Sequence, residues 1–306
     1  MPLHPQAAAF LQAVEESGNP AFEELEPQAA RDLFDPLVAA PGDGLTEIEN
    51  ITIDGPGGPL PLRIFRPKTP GPHPVLMFFH GGGWVILNLD THEFTCEQLA
   101  LKTPAIVVSV DYRLSPETRF PGPVDDCYAA TVWASENAER LGAKPGPVAV
   151  AGDSAGGQLS AAVALRARDK GLPIAFQALI YPVTDATFDT ASYEEFAEGY
   201  VLTRNGMIWF WEHFLGPDGD PNHPEASPLR APDVSGVAPA LVITAECDVL
   251  RSEGEAYAAK LMAAGVPVQL HNEPGQLHGF VTWKGMFDAT PVAHDMIAAA
   301  LRKAFA

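Results

Sequence analysis

The sequence predicts an α/β fold, an open and mostly parallel sheet with helices on both faces. Three observations lead there. A hairpin signal stands near the start, short runs apolar on both faces follow it, and helical stretches alternate with such runs to the end of the sequence. The 306 residues are 46% hydrophobic and 19% charged, enough to bury a large core and too apolar for a disordered chain.

Residues 5–40 read as two short amphipathic helices joined through Gly18-Asn19-Pro20, with Phe10, Leu11 and Val14 on one face. Gly42-Asp43-Gly44 ends this leader. Residues 47–53 and 60–65 have strand-like content and flank Gly55-Pro56-Gly57-Gly58, which is the hairpin signal. The continuous apolar runs 75–79 and 105–110 suit strands covered by helices on both sides. A helix over 124–140, a strand over 147–151 and a helix over 155–170 come next. Strands are expected at 176–181, 240–244 and 266–271, with helices at 252–264 and 291–305.

One stretch breaks the alternation. From 185 to about 239 there is no strand-like run, but there are Tyr200-Val201-Leu202 and the aromatic segment Met207-Ile208-Trp209-Phe210-Trp211. This is long for a connection and reads as an inserted helical layer. Its aromatics either pack that layer or wall an apolar pocket.

Composition excludes several function classes. A net charge of −20 repels nucleic acids and anionic membranes. Cys96, Cys127 and Cys247 are too few and too scattered for a disulfide framework or a zinc site. No run approaches the ~18 apolar residues of a membrane span. The first residues lack the basic start and small-residue cleavage site of a signal peptide, so a cytoplasmic address is expected. His92-Glu93 lacks a second histidine four residues on, and the glycine run is not G-x-G-x-x-G; both metal-dependent hydrolysis and dinucleotide binding are disfavoured.

The chemistry concentrates in two glycine-rich motifs. Gly152-Asp153-Ser154-Ala155-Gly156-Gly157 matches G-x-S-x-G, directly after a strand and directly before an Ala/Leu-rich helix. A nucleophile elbow needs this placement, because the flanking glycines let the backbone turn sharply and leave the Ser154 hydroxyl exposed. The second motif, His80-Gly81-Gly82-Gly83-Trp84, follows the strand ending at Phe79. Its glycines present backbone N–H groups of the kind that hold a developing oxyanion, and no Lys-Ser/Thr follows as in a phosphate loop. His80 itself fits a supporting role in that loop better than proton transfer.

An attacking serine needs a base, and the base needs an orienting carboxylate. His278 stands out among nine histidines, in Gly275-Gln276-Leu277-His278-Gly279-Phe280 after the last strand. Asp248 follows the strand near 240–244 and precedes the histidine, with Glu246 as the competing choice. The order Ser154, Asp248, His278 matches the α/β-hydrolase order.

At this point the chain resembles a known family. His80-Gly81-Gly82-Gly83-Trp84, Asp111-Tyr112-Arg113-Leu114-Ser115-Pro116-Glu117, the Ser154 motif, Asp248-Val249-Leu250-Arg251 and His278-Gly279-Phe280 look like the bacterial hormone-sensitive-lipase-like carboxylesterases. The Phe120-Pro121 and Asp125-Asp126-Cys127-Tyr128 stretches extend the similarity over almost the whole chain. The resemblance implies one α/β-hydrolase domain over 1–306, with Ser154 as nucleophile, His278 as base and then acid, and Asp248 as its orienter. It implies an oxyanion hole from the amides of Gly82, Gly83 and Ala155. It also implies a cap formed by about 1–45 and 185–239, with Phe10, Trp84, Trp209 and Trp211 expected along the acyl pocket. No cofactor or metal is expected, the partner is a small-molecule ester, and a homodimer is left open. Ser252 stands where the family often has an acid, and Glu117-Thr118-Arg119-Phe120 replaces a more usual His-Pro turn.

The expected reaction is therefore hydrolysis of short- to medium-chain acyl esters through an acyl-enzyme. Two alternatives stand beside it. The same chemistry could serve an amide, a lactone, an arylformamide or an acetylated antibiotic precursor, or the fold could carry a non-catalytic ligand receptor. Presence of all three triad candidates weighs against the receptor.

Overall fold

The computed structural model describes residues 3–38 and 41–306. The ends of the expected leader and cap at residues 1–2 and 39–40 lie outside them. Helices α1 (Pro5–Ser17) and α2 (Pro27–Val38) precede the hairpin β1 (Thr46–Gly55) and β2 (Gly58–Pro67). Then come β3 (Val75–Phe79), α3 (Glu93–Lys102), β4 (Ile106–Val110), α4 (Gly122–Glu136) and the short α5 (Ala138–Leu141). The centre is β5 (Val148–Asp153), α6 (Ala155–Lys170) and β6 (Ile174–Ile180). Helices α7 (Ala191–Glu195) and α8 (Arg204–Leu215) precede β7 (Ala240–Cys247), and α9 (Arg251–Ala263), β8 (Val268–Leu277) and α10 (Ala289–Phe305) follow it.

All eight strands form one sheet in the order β1-β2-β4-β3-β5-β6-β7-β8. The hairpin pairs from Thr46↔Pro67 to Gly55↔Gly58, leaving Pro56-Gly57 as a two-residue loop. β2 is antiparallel to β4, and every later pairing is parallel. All residues of β3, β4 and β5 are buried, which is why they read as largely apolar runs, broken only by Ser109 in β4 and Gly152-Asp153 at the end of β5. The chain steps outward from β3 to β4 and then crosses back to β5 on the other side. Connections therefore diverge at the C-terminal ends of β3 and β5, the place where open α/β sheets bind ligands. Both glycine motifs sit there.

Backbone contact draws the two motifs together. A Cβ on Gly156 would lie 1.9 Å from the Phe79 carbonyl oxygen, and one on Gly152 would lie 2.3 Å from the Gly156 oxygen. Only bare backbone lets α6 pack this close to the ends of β3 and β5.

Five elements differ from expectation. Helix α3 carries no clear amphipathic signal, because its polar Thr95 and Glu97 are buried beside Cys96, Leu99 and Ala100. The long helix over 124–140 breaks at Asn137, whose side-chain amide and backbone N–H both bond to the Trp133 carbonyl. β7 and β8 run beyond 244 and 271, because their polar ends pair up to Cys247↔Leu277 across a register shift. Pro274 is tolerated there since β8 is an edge strand, and Gly275 takes the left-handed φ of +65°. In α1, Ala7 is buried and Phe10 packs 4.4 Å from Trp283, while Val14 faces solvent.

The leader and the segment after β6 pack on each other. Phe22 lies 4.5 Å from Phe34, 5.0 Å from Phe210 and 6.3 Å from Trp209. Cys96, Cys127 and Cys247 are buried and unpaired, and burial pushes the Cys127 thiol well above its ordinary value. No helix among the described residues is long and apolar enough to cross a membrane.

Steric and conformational roles of glycine separate cleanly in two variants. Gly156→Ala is expected to cost about 3 kcal/mol or more, since backbone rather than a flexible side chain opposes the new methyl. Gly142→Ala, with φ of +67° and open space around it, is expected to cost only about 1 kcal/mol. Urea midpoints of the two purified variants check the ranking.

Candidate active site

Ser154 stands between β5 and α6 with φ of 57° and ψ of −120°, a left-handed conformation that strains a non-glycine residue. Its N–H donates to the Ile180 carbonyl at 2.8 Å, and the glycines beside it accept the sharp turn. His278 follows β8 and places Nε2 3.0 Å from the Ser154 hydroxyl. Its Nδ1 lies 2.7 Å from Oδ2 of Asp248, which follows β7. The other oxygen of Asp248 accepts the Leu250 N–H at 3.0 Å. An ionised carboxylate only accepts, so this geometry puts the proton on Nδ1 and leaves the Nε2 lone pair toward the serine. Such a relay lets a hydroxyl shed its proton as it attacks a carbonyl.

Glu246, the competing carboxylate, is occupied elsewhere. Its Oε2 accepts the Gly275 N–H at 2.7 Å, which ties the end of β8 beneath the His278 loop.

The glycine loop after β3 turns through Gly82 (φ 105°) and Gly83 (φ 56°). The Gly82 carbonyl accepts the N–H groups of Val85 and Ile86, both at 3.0 Å. Among the described residues, no protein acceptor takes the amides of Gly82 or Gly83. Ala155 opens α6, so its N–H has no partner within the helix. These donors and the serine share one end of the sheet.

Asp153 joins the two motifs. It is buried, and its Oδ1 accepts the Gly81 N–H at 3.0 Å while lying 3.1 Å from Nε2 of His92. Burial alone would raise its carboxyl, but the His92 ring beside it holds it below the ordinary value. His80 supports the loop from inside, with Nδ1 2.7 Å from the Gly81 oxygen and its ring stacked 4.3 Å from Tyr112. The Tyr112 hydroxyl donates to the His80 carbonyl at 2.7 Å.

A family model described as the alpha/beta hydrolase fold matches residues 76–282. The carboxylic ester hydrolase LipN of Mycobacterium tuberculosis is 43% identical over 272 residues, covering 86% of this chain and 72% of that protein. The chain belongs to the hormone-sensitive-lipase-like family of carboxylic ester hydrolases.

Other members of the family match over nearly their whole length. An ethyl acetate hydrolase of Pseudomonas putida is 36% identical, covering 99% of each chain. Among solved structures, a thermostable esterase from Pseudomonas putida superposes with a TM-score of 0.95 at 38% identity, covering 100% of this chain and 98% of that one.

Two residues expected along the pocket are packed in the interior. Trp84 is wholly buried: its Nε1 donates to Gln158 at 2.8 Å, and its ring stacks 4.0 Å from Phe214. Trp211 meets it edge-on at 5.0 Å and is also buried. Trp84, with a left-handed φ of 62°, thus ties the glycine loop to Gln158 of α6 and to Trp211 and Phe214 of α8. Trp209 packs against Phe22 and His213, and Phe10 against Trp283 and Phe287. The tight spot is Gly83, where a Cβ would lie 2.1 Å from the Phe210 ring.

Asp153 and His92 are the site residues that sequence reasoning missed. Asp153 was visible as the residue before the serine, yet nothing local shows that its partner is an amide 72 residues earlier. His92 has no motif of its own. Among the described residues, no group of three or more His, Cys, Asp or Glu could hold a metal ion.

Two buried imidazoles set a pH dependence. Burial lowers His80 from 6.5 to about 3, and lowers His294 of α10 from 6.5 to about 4. Below pH 6.5 the unfolded chain takes up protons at these positions while the fold does not. Their stability contribution is thus complete above pH 6.5 and is lost as the pH falls toward those folded values. Each group steepens the loss by a factor of about ten in the folding equilibrium per pH unit. His294→Leu is expected to remove one such slope, and urea midpoints between pH 7 and 4.5 measure it.

Proposed function

We propose that this enzyme hydrolyses esters of short to medium acyl chains through an acyl-enzyme formed on Ser154. The observation that carries the reading is the continuous hydrogen-bonded line from Asp248 through His278 to Ser154, at 2.7 and 3.0 Å, ending beside free loop amides. His278 Nε2 takes the hydroxyl proton as Ser154 Oγ bonds to the ester carbonyl carbon. Asp248 holds the ring by Nδ1 and stabilises the imidazolium. The N–H groups of Gly82, Gly83 and Ala155 receive the oxyanion, and the positive end of α6 adds to their field. Collapse breaks the ester C–O bond, and His278 returns the proton to the departing alcohol. Water then repeats the sequence and frees the acid, with no cofactor required.

In the same reading the described parts of 1–45 and 185–239 cap the acyl pocket within one domain. The ethyl acetate hydrolase relative supports a short acyl group, and the neutral ester suits an acidic protein.

Ser154→Ala should leave the melting temperature near that of the wild type while turnover of p-nitrophenyl butyrate falls by ~10⁴ or more. Appreciable residual turnover in that variant refutes the nucleophile. A series of p-nitrophenyl esters from acetate to palmitate should peak at the short to medium members; a peak at palmitate overturns the chain-length assignment.

A further inference from the structure

The turn that continues the glycine loop is gripped by α2. Gly82 accepts the amides of Val85 and Ile86, which closes residues 82–86 into one hydrogen-bonded unit that runs directly into Leu87. This stretch contains two strained non-glycine residues, Trp84 with φ of 62° and Leu87 with φ of 69°. Trp84 is held from the core by Gln158 and Phe214. Leu87 is held from the other side. Its N–H donates to Oδ1 of Asp35 at 2.9 Å, and Oδ2 of Asp35 accepts from the Asn88 side chain at 3.0 Å.

One helical turn earlier, Arg31 occupies the same face of α2. Its Nε donates to the Val85 carbonyl at 2.7 Å and its Nη2 to the Ser115 carbonyl at 2.8 Å. The same guanidinium forms a two-pronged bond to Glu117, at 2.9 and 2.7 Å. Glu117 lies in the turn where this chain departs from the usual family sequence. Arg31 is thereby oriented by a carboxylate and donates to two backbone carbonyls, with a longer contact from Nη1 to Gln28 Oε1 at 3.4 Å, a geometry that a lysine cannot reproduce.

We propose that Arg31 and Asp35 are positioning residues for the oxyanion hole, through which α2 sets the placement of the Gly82 and Gly83 amides. This rests on the reading of those amides given above. A helix that only covered the pocket would touch substrate; these two side chains instead terminate on the backbone next to the donors. Misplacing an oxyanion donor acts on the tetrahedral species far more than on the bound ester, so the loss belongs in kcat.

The test uses the full-length enzyme with p-nitrophenyl acetate, butyrate and octanoate, and with butylboronic acid as a tetrahedral mimic on the serine. Asp35→Ala and Arg31→Met should lower kcat by roughly tenfold or more, with KM changing less than about twofold. Boronic acid affinity should fall by a similar factor, and the fractional loss of kcat should be the same for all three esters. Asp35→Asn keeps an acceptor for the Leu87 N–H and should recover most of the loss. Asp32→Ala, an exposed neighbour bonded to Gln28, should behave as wild type. A loss confined to KM and varying with acyl length assigns α2 to the pocket and overturns the proposal, as do unchanged kcat and boronate affinity. If the Ala and Met variants do not fold, Arg31→Lys decides: reduced kcat and boronate affinity support the proposal, and wild-type values overturn it. Failure of the underlying reading looks different, with wild-type enzyme insensitive to the boronic acid.

Discussion

The carbonyl of Phe79, at the end of β3, meets bare backbone at Gly156 in α6. Every later feature of the site inherits that contact. It brings the end of β3 beside the end of β5, so the loop with the free amides and the turn with the serine start from one rigid seam. Asp153 then sews the seam shut by taking the Gly81 amide. His278 and Asp248 arrive from β8 and β7, three and two strands on from β5, and need only reach the serine from one side. A side chain at 156 would part the two loops before any question of chemistry arose.

Carboxylates do much of the interior fastening. Glu97 accepts the amides of Asp43, Leu45 and Thr46, Glu246 that of Gly275, and Glu253 those of Thr184 and Asp185. Asp153 and Asp248 follow the same pattern at the site. Burial keeps the Glu253 carboxyl well above its ordinary value, whereas Asp153, beside His92, goes the other way. The charge of −20 is therefore not a matter of solvated surface alone, as composition by itself suggests. Part of the acid content serves as acceptors for loop backbone, where an N–H left without a partner would be costly.

What could be read in advance follows from how local the physics is. The strands at 75–79 and 106–110 were legible because burial on both faces writes itself as an apolar run, interrupted in the second only by Ser109. Ser154, Asp248 and His278 were legible because each follows its own strand and their order is distinctive. Helix α3 was hidden by buried polar residues that erase the helical period. The last turn of β8 was hidden because Glu273-Pro274-Gly275 has loop composition, and only pairing with β7 makes it a strand. The interior packing of Trp84 and Trp211 was hidden for a related reason. An aromatic near a glycine loop fits a pocket wall or a wedge equally well until the left-handed turn at Trp84 is known.

The three thiols have a practical side. Cys96, Cys127 and Cys247 all lie in the interior, and burial raises the thiol of Cys127 far from the range where a reactive thiolate forms. The folded enzyme is therefore expected to react slowly with maleimides and iodoacetamides. One cysteine placed on an exposed helix position would become a unique handle, so the protein could be tethered to a resin or labelled with a fluorophore in a chosen orientation without first stripping its native cysteines.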